Sequence, residues 1–226
     1  MKYIPKTPIN LFKQCWRFNV YKKKCFCMIL FNFICMTAYG SVNLIQNGSF
    51  EKIHSGIPVF WIFQNGPGAG GAIISMDTTV SHTGHNSVKI FVPTPNGCGS
   101  IVAEYKGHKG DNLIPVEPDT AYALSFWVKG KDVDTMGEGI NIRIGFSQID
   151  TLNLPNGGKG FHSIGFRVYQ SGLTGTFNWT KQTYRFVTKP WQKYCQIYFQ
   201  LRSNIGTIWY DNISLKKIGK INMPKF

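Results

Sequence analysis

From residue 43 onward the chain consists of short runs of alternating apolar and polar residues, broken repeatedly by Gly, Pro, Asn and Asp. Nowhere does a 3.6-residue period persist long enough for a substantial helix. This pattern restricts the chain to an all-β fold. Strands are expected over 87–92, 101–104, 121–129, 140–147, 164–168, 181–187, 195–202 and 207–216. The breakers between them include 65–71, 93–99, 106–119 and 152–160, each rich in Gly, Pro or Asn. Strands in this number, within a chain of 226 residues, suit one domain whose two sheets close over a common core, as a β-sandwich or jelly roll. An aromatic content of 15% excludes a disordered chain, and no internal repeat marks a second module.

Charge is unevenly placed. Seven of the 25 basic residues and none of the 11 acidic ones fall in residues 1–40, which leaves +7 of the total +14 on the remainder. Lys22-Lys23-Lys24 precedes the apolar run Cys25-Phe-Cys-Met-Ile-Leu-Phe-Asn-Phe-Ile-Cys-Met36, and Ala38-Tyr39-Gly40 follows with small residues at both recognition positions. That order reads as a signal peptide over 1–40, cut after Gly40, with a retained signal anchor as the alternative. The expected organisation is then a sandwich over 41–220 and a tail over 221–226, in a protein that is secreted or held at the cell surface. Past residue 40 no apolar run is long enough for a membrane span, and the scattered charge does not form a nucleic-acid footprint. Cys98 and Cys195 are the cysteines beyond the signal. An exported protein permits a disulfide between them, whereas the parity of Cys195 with Ile197 and Phe199 suits a buried thiol; the spacing does not decide.

Alternation also assigns faces. Tyr122, Leu124, Phe126 and Val128 turn inward, leaving Ala123, Ser125, Trp127 and Lys129 outward. Ile140, Ile142, Ile144 and Phe146 turn inward, leaving Asn141, Arg143, Gly145 and Ser147 outward. Cys195, Ile197, Phe199 and Leu201 turn inward, leaving Gln196, Tyr198, Gln200 and Arg202 outward. If these strands are neighbours, one outer face carries Trp127, Arg143, Gln196, Tyr198 and Gln200. Aromatic rings stack on the C–H faces of sugars, and amide and guanidinium groups hold sugar hydroxyls, so the set is a candidate carbohydrate-binding surface. The other reading is ordinary polar surface, with Trp127 covered by a loop. Phe161 and His162 are candidate rim residues.

Six motifs occur in a recognisable order: Asn43-Leu-Ile-Gln-Asn-Gly-Ser-Phe-Glu51, Gly56-Ile-Pro-Val-Phe-Trp61, Thr83-Gly-His-Asn-Ser-Val-Lys-Ile90, Tyr122-Ala-Leu-Ser-Phe-Trp-Val-Lys129, Thr174-Gly-Thr-Phe-Asn-Trp179 and Gly206-Thr-Ile-Trp-Tyr-Asp-Asn-Ile-Ser-Leu215. Together they resemble the jelly-roll carbohydrate-binding modules found beside cellulase and xylanase domains, in the galactose-binding-like superfamily. The resemblance implies a β-sandwich without catalysis, glycan binding on a concave sheet face or loop rim, and a structural calcium. Residue by residue, the calcium carries over to Glu51 and Asp211, aided by carbonyls of a turn such as Ser81-His-Thr-Gly84. The alternative is that both carboxylates satisfy backbone amides at strand ends. Trp61, Trp179 and Trp209 fall within motifs where packing is the expected role.

Other chemistry finds little footing. The Gly66-Pro-Gly-Ala-Gly-Gly71 loop spells a dinucleotide fingerprint but precedes a strand-like segment rather than a helix. His82 and His85 lack a third metal ligand. Glycosidic hydrolysis needs two carboxylates flanking the bond, whereas Asp132, Asp134 and Glu138 crowd one loop and Glu104 stands apart. The leading expectation is a non-catalytic protein that binds a polysaccharide or glycan. A structural or protein-interaction sandwich, and a small glycoside hydrolase or polysaccharide lyase, are the alternatives.

Overall fold

The computed structural model describes residues 42–65, 71–105, 113–148, 152–153, 159–160 and 162–220. The signal peptide over 1–40, the tail over 221–226 and the rim candidate Phe161 lie outside these residues. Among the described residues there are fifteen strands, in the order β1 (Ile53–His54), β2 (Ile57–Pro58), β3 (Trp61–Asn65), β4 (Ile73–Asp77), β5 (Ser87–Val92), β6 (Cys98–Ala103), β7 (Ile114–Pro115), β8 (Thr120–Val133), β9 (Gly139–Ser147), β10 (Leu152–Asn153), β11 (Lys159–Gly160), β12 (Phe166–Gln170), β13 (Gly175–Val187), β14 (Tyr194–Arg202) and β15 (Gly206–Lys220). No helix occurs among the described residues. β10 and β11 pair within the stretch 152–160 that the sequence reads as a breaker, and β3 and β4 are strands the alternation did not mark.

Two antiparallel sheets make the sandwich. One runs β13-β8-β15-β5-β4; the other runs β12-β9-β14-β6-β3, with β7 also paired to β14. The inward faces are those the alternation assigns: Leu124, Phe126 and Val128 of β8, Ile142 and Ile144 of β9, and Ile197 and Phe199 of β14 are all buried. Aromatic rings carry the contact between sheets. Phe126 of β8 meets Phe199 of β14 edge-on at 5.4 Å, Tyr210 of β15 meets Phe199 at 5.6 Å, and Phe146 of β9 meets Phe186 of β13 at 5.7 Å. Each such ring buries a large apolar area and adds a directional edge-to-face term. Tyr210 also donates its hydroxyl to the Gln200 carbonyl at 3.1 Å, which fixes β14 against the opposite sheet.

The Asn47-Gly-Ser-Phe-Glu51 motif works as a clasp. Asn47 donates to the carbonyls of Lys52 and Val59 and accepts from Lys52 N–H, and its own carbonyl accepts from the Trp61 indole. Gly48 lies against β15 so closely that an added Cβ would sit 2.0 Å from the Ile213 carbonyl oxygen. Phe50 takes a left-handed φ of 60°, unusual for a bulky residue, and its buried ring packs on Trp61 at 4.9 Å. Burial of that ring offsets a backbone strain on the order of 1 to 3 kcal/mol.

Cys98 and Cys195, the cysteines among the described residues, are free and buried. Cys195 pairs with Phe146 and turns into the core, whereas Cys98 pairs with Arg202 and shares the outward parity of Ser100. Seven residues of β14 separate those rungs, roughly 23 Å of strand, so the two thiols cannot meet in this fold.

Candidate functional site

Strand register brings four of the five sugar-face candidates together. Gln200 pairs with Asn141 on one side and Ser100 on the other, Tyr198 pairs with Arg143, and Gln196 pairs with Gly145. Arg143, Tyr198 and Gln200 line an open cleft of about 380 Å³ on the outer face of the sheet containing β14, with Gln64, Ser100 and Phe166 also on its walls. Gln196 lies beneath, buried, and accepts the Tyr198 hydroxyl at 2.5 Å. Burial pushes the Tyr198 phenol above its ordinary pKa, more than the positive charge of Arg143 lowers it, so the hydroxyl is a donor at neutral pH.

Trp127 is not part of this face. It lies on β8, whose neighbours are β13 and β15, and therefore on the outer side of the opposite sheet. Its indole is also covered, since the His82 ring stacks on it at 3.8 Å with 18° between planes and meets Trp179 edge-on at 5.7 Å. Alternation separates inward from outward, but a sandwich has two outward faces, and strand pairing alone decides which one a residue occupies. Trp61 and Trp209 are packed: Trp209 is buried and donates its indole N–H to Asp77 at 2.8 Å. His162 is exposed, and no contact ties it to the cleft walls.

The aromatic residue in the cleft is one the sequence reading did not single out. Phe166 of β12 is 58% exposed, and the Arg143 guanidinium lies over its ring, 4.4 Å from the centroid. Its strand partner is Gly145, which adds no side chain to that part of the floor. A readable signal exists: in 166–170 the apolar Phe166 and Val168 share one parity while Arg167 and Tyr169 share the other. Polar residues that alternation turns outward prove to be buried here, among them Asn141, Ser147, Gln196 and Gln200. Two amides of this face are fixed. Gln200 donates to Ser100 Oγ at 2.8 Å, and Asn141 donates at 3.3 Å to Glu138, which also pairs with Arg202 Nε at 3.1 Å. Such a surface presents preset donors and acceptors near a partly exposed aromatic ring.

Glu51 and Asp211 come together on one turn. Glu51 Oε1 accepts from the His85 and Asn86 amides at 3.0 and 3.1 Å, and its Oε2 accepts from Asn86 Nδ2 at 3.0 Å. Asp211 Oδ2 accepts from the His82 and Thr83 amides at 2.9 and 3.1 Å, and its Oδ1 from Asn212 N–H at 2.6 Å. Burial raises the Asp211 pKa, and these amide bonds oppose the rise without cancelling it. Three donors occupy three of about four lone-pair sites on each carboxylate. Both carboxylates thus satisfy backbone amides, the alternative reading, and each keeps about one lone-pair site unoccupied by these donors, whereas a calcium ion takes six to eight oxygens. Among the described residues no group of three His, Cys, Asp or Glu side chains gathers around a common point.

No protein-family model matches the sequence, and no curated protein matches it. Solved structures do resemble the fold. The enzymatically active domain of tailspike protein 4 from bacteriophage CBA120 is 20% identical with a TM-score of 0.52, over 78% of this chain and 22% of that one. A family 16 carbohydrate-binding module is 18% identical with a TM-score of 0.46, over 76% and 99% of the two chains. The xylan-binding CBM22-1 domain of Paenibacillus barcinonensis Xyn10C is 12% identical with a TM-score of 0.47, over 81% and 99%. This chain thus corresponds to less than a quarter of the tailspike structure, and the likeness is one of fold. The all-β jelly-roll architecture implied by the order of the six motifs is the architecture found.

Proposed function

We propose that this is a secreted or cell-surface glycan-binding protein whose binding site is the cleft on the outer face of the β12-β9-β14-β6-β3 sheet. The observation that carries the reading is the exposed Phe166 ring, with the Arg143 guanidinium over it, in a cleft that also holds Tyr198, fixed by Gln196, and Gln200, fixed by Ser100. A sugar ring stacks its C–H face on Phe166 while Arg143 donates to ring hydroxyls. Gln200, held by Ser100, and Tyr198, held by Gln196, present polar groups that need no reordering when the ligand arrives. Binding without catalysis is part of the proposal. Among the described residues the cleft lining holds no carboxylate, and Glu138, in an adjoining recess that shares Arg143 and Phe166, is paired with Arg202, whereas glycosidic hydrolysis requires two carboxyl groups about 5 to 9 Å apart.

Calcium at Glu51 and Asp211 is a further part of the proposal. The ion would use the lone pairs that the turn 82–86 leaves over, and would tie that turn to β15 at a distance from the cleft.

Affinity electrophoresis through gels containing a panel of neutral polysaccharides tests the reading, with the same mixtures assayed for released sugar. Retardation by one polymer without release, lost in Phe166→Ala and kept in Trp127→Ala, is the expected result. Retardation that survives Phe166→Ala and Tyr198→Ala would remove the cleft from the proposal.

A further inference from the structure

The outer face of the other sheet is strongly basic. Strand pairing puts Lys129 of β8 beside Trp209 of β15 and, beyond it, Lys89 of β5. Lys131 lies one step along β8, Lys181 of β13 pairs with Trp127, and Arg185 and Lys216 flank Ala123 on its two sides. Lys131, Lys181, Arg185 and Lys216 are exposed, and Lys89 and Lys129 are partly so. Among the described residues neither ion pair involves any of these six cations. Carboxylates near these cations are committed elsewhere: Asp77 accepts from Trp209 and Thr79, Asp211 is buried under the amides of His82 and Thr83, and the exposed Asp132, next to Lys131, accepts from Thr176 Oγ1 at 3.1 Å.

Spacing adds to the charge. At about 3.3 Å per residue, the rung of Lys131 lies roughly 27 Å along β8 from the rung of Arg185 and Lys216. At the latter end a recess of about 550 Å³ opens over Ala121 and Ala123, walled by Arg185, Arg167 and the exposed Ile218. Small alanine side chains make the recess, the exposed Arg185 guanidinium stands at its edge, and Arg167 also lines it while donating from Nη2 to the Val187 carbonyl at 2.9 Å. Guanidinium groups favour planar or tetrahedral oxyanions, which they grip through paired N–H donors.

We infer that this face binds an acidic polysaccharide, with uronate or sulfate groups lying along the band from Lys131 to Arg185 and one such group seated in the recess. The inference stands independently of the cleft, since it concerns the opposite sheet and a charged ligand. Single-stranded nucleic acid also carries regular negative charge, but it is held by rings on which bases stack. Two of the rings on this face are already covered, Trp127 by His82 and Trp209 by burial against Asp77, while Trp179 and Phe91 are partly exposed, so the oligo-dT arm of the test decides between the two polyanions.

The test is electrophoretic retardation and titration of the full chain with heparin, polygalacturonate, neutral dextran and an oligo-dT strand, over a series of salt concentrations. Binding to at least one acidic polysaccharide and not to dextran is expected, falling by about two orders of magnitude or more between about 50 and 200 mM salt for six contacts. Lys129→Glu/Lys131→Glu/Lys181→Glu should abolish it, and the Gln version of the same triple should roughly halve the slope of log affinity against log salt. Arg185→Gln/Lys216→Gln reads the other end of the band should the reversal variant fail to fold. Tyr198→Ala, in the cleft, should leave acidic-polysaccharide binding unchanged. The inference is overturned if neither acidic polymer is bound, if the neutralised variants bind as the parent does, or if oligo-dT binds more tightly than both polysaccharides at equal salt.

Discussion

Replacing Gly48 by Ala probes the contact that fastens the first turn to the last strand. The added Cβ would lie 2.0 Å from the Ile213 carbonyl oxygen and 2.9 Å from its carbon, both backbone atoms that cannot swing aside. An ordinary contact needs more than about 3 Å, so the turn must retreat by about 1 Å. That movement breaks the bond from Ile213 N–H to the Gly48 carbonyl, 2.8 Å, and the bond from Asn43 Nδ2 to the Ile213 carbonyl, 3.3 Å. Two such bonds contribute about 1 kcal/mol each, and overpacking a filled site costs about 1 to 3 kcal/mol. The expected loss is about 3 to 5 kcal/mol, which for a domain of this size lowers Tm by about 10 °C. Gly56 is the control. It has φ +77° with nothing within 4 Å of an added Cβ, so Gly56→Ala meets only backbone strain, about 1 to 2 kcal/mol. Thermal unfolding followed by circular dichroism compares the two. If Gly48→Ala melts no lower than Gly56→Ala, the clasp does not hold the sandwich and the argument fails.

Tyr198→Phe removes the hydroxyl that donates to Gln196, and Gln200→Ala removes the amide held by Ser100. Each should weaken binding of the neutral glycan by about tenfold with little change in Tm, measured by titration calorimetry. Added Ca²⁺ should raise the Tm of the parent, and chelator should reverse the rise, while Glu51→Gln/Asp211→Asn should respond to neither; an equal response in the double variant would place any ion elsewhere. At Asp77, burial raises the pKa but the hydrogen bonds from Trp209, Thr79 and Val80 outweigh it, and the net result lies below the ordinary 3.8. Its folded-state pKa is depressed, so its contribution to stability is full above about 3.8 and is lost as pH falls through the folded value. Urea unfolding between pH 5 and 2 should therefore show a shallower acid loss in Asp77→Asn than in the parent.

Much of the fold was legible because alternation has a period of two and a buried face repeats it. Ile140, Ile142, Ile144 and Phe146 could be assigned to the core from their order alone, and all are buried. Turn residues set the strand limits with similar success at 87–92, where the observed β5 is Ser87–Val92. The site was less legible. Arg143, Gln196, Tyr198 and Gln200 share a parity on strands that proved to be neighbours, so the same rule that found the core grouped them. Trp127 obeyed the rule equally well and sits on the other sheet, because β8 pairs with β13 and β15. Phe166 escaped notice because its parity with Val168 on a short edge strand marks a face but does not tell an exposed ring from a packed one.

By itself the sequence determined the class of structure: residues near one another in the chain fix which side chains alternate, where turns must fall, and hence that two sheets enclose one core. It also determined that the motif at 47–51 and the segment at 206–215 belong to one recurring architecture. Tertiary structure alone decided which strands lie side by side, because pairing partners are chosen by contacts between segments far apart in the chain, as when Gln200 meets Ser100 and Asp211 meets the turn at His82. That choice sorted the outward residues between two faces. One became a cleft of amides with an exposed ring, and the other a band of cations, two surfaces that a reading of alternation sees as one.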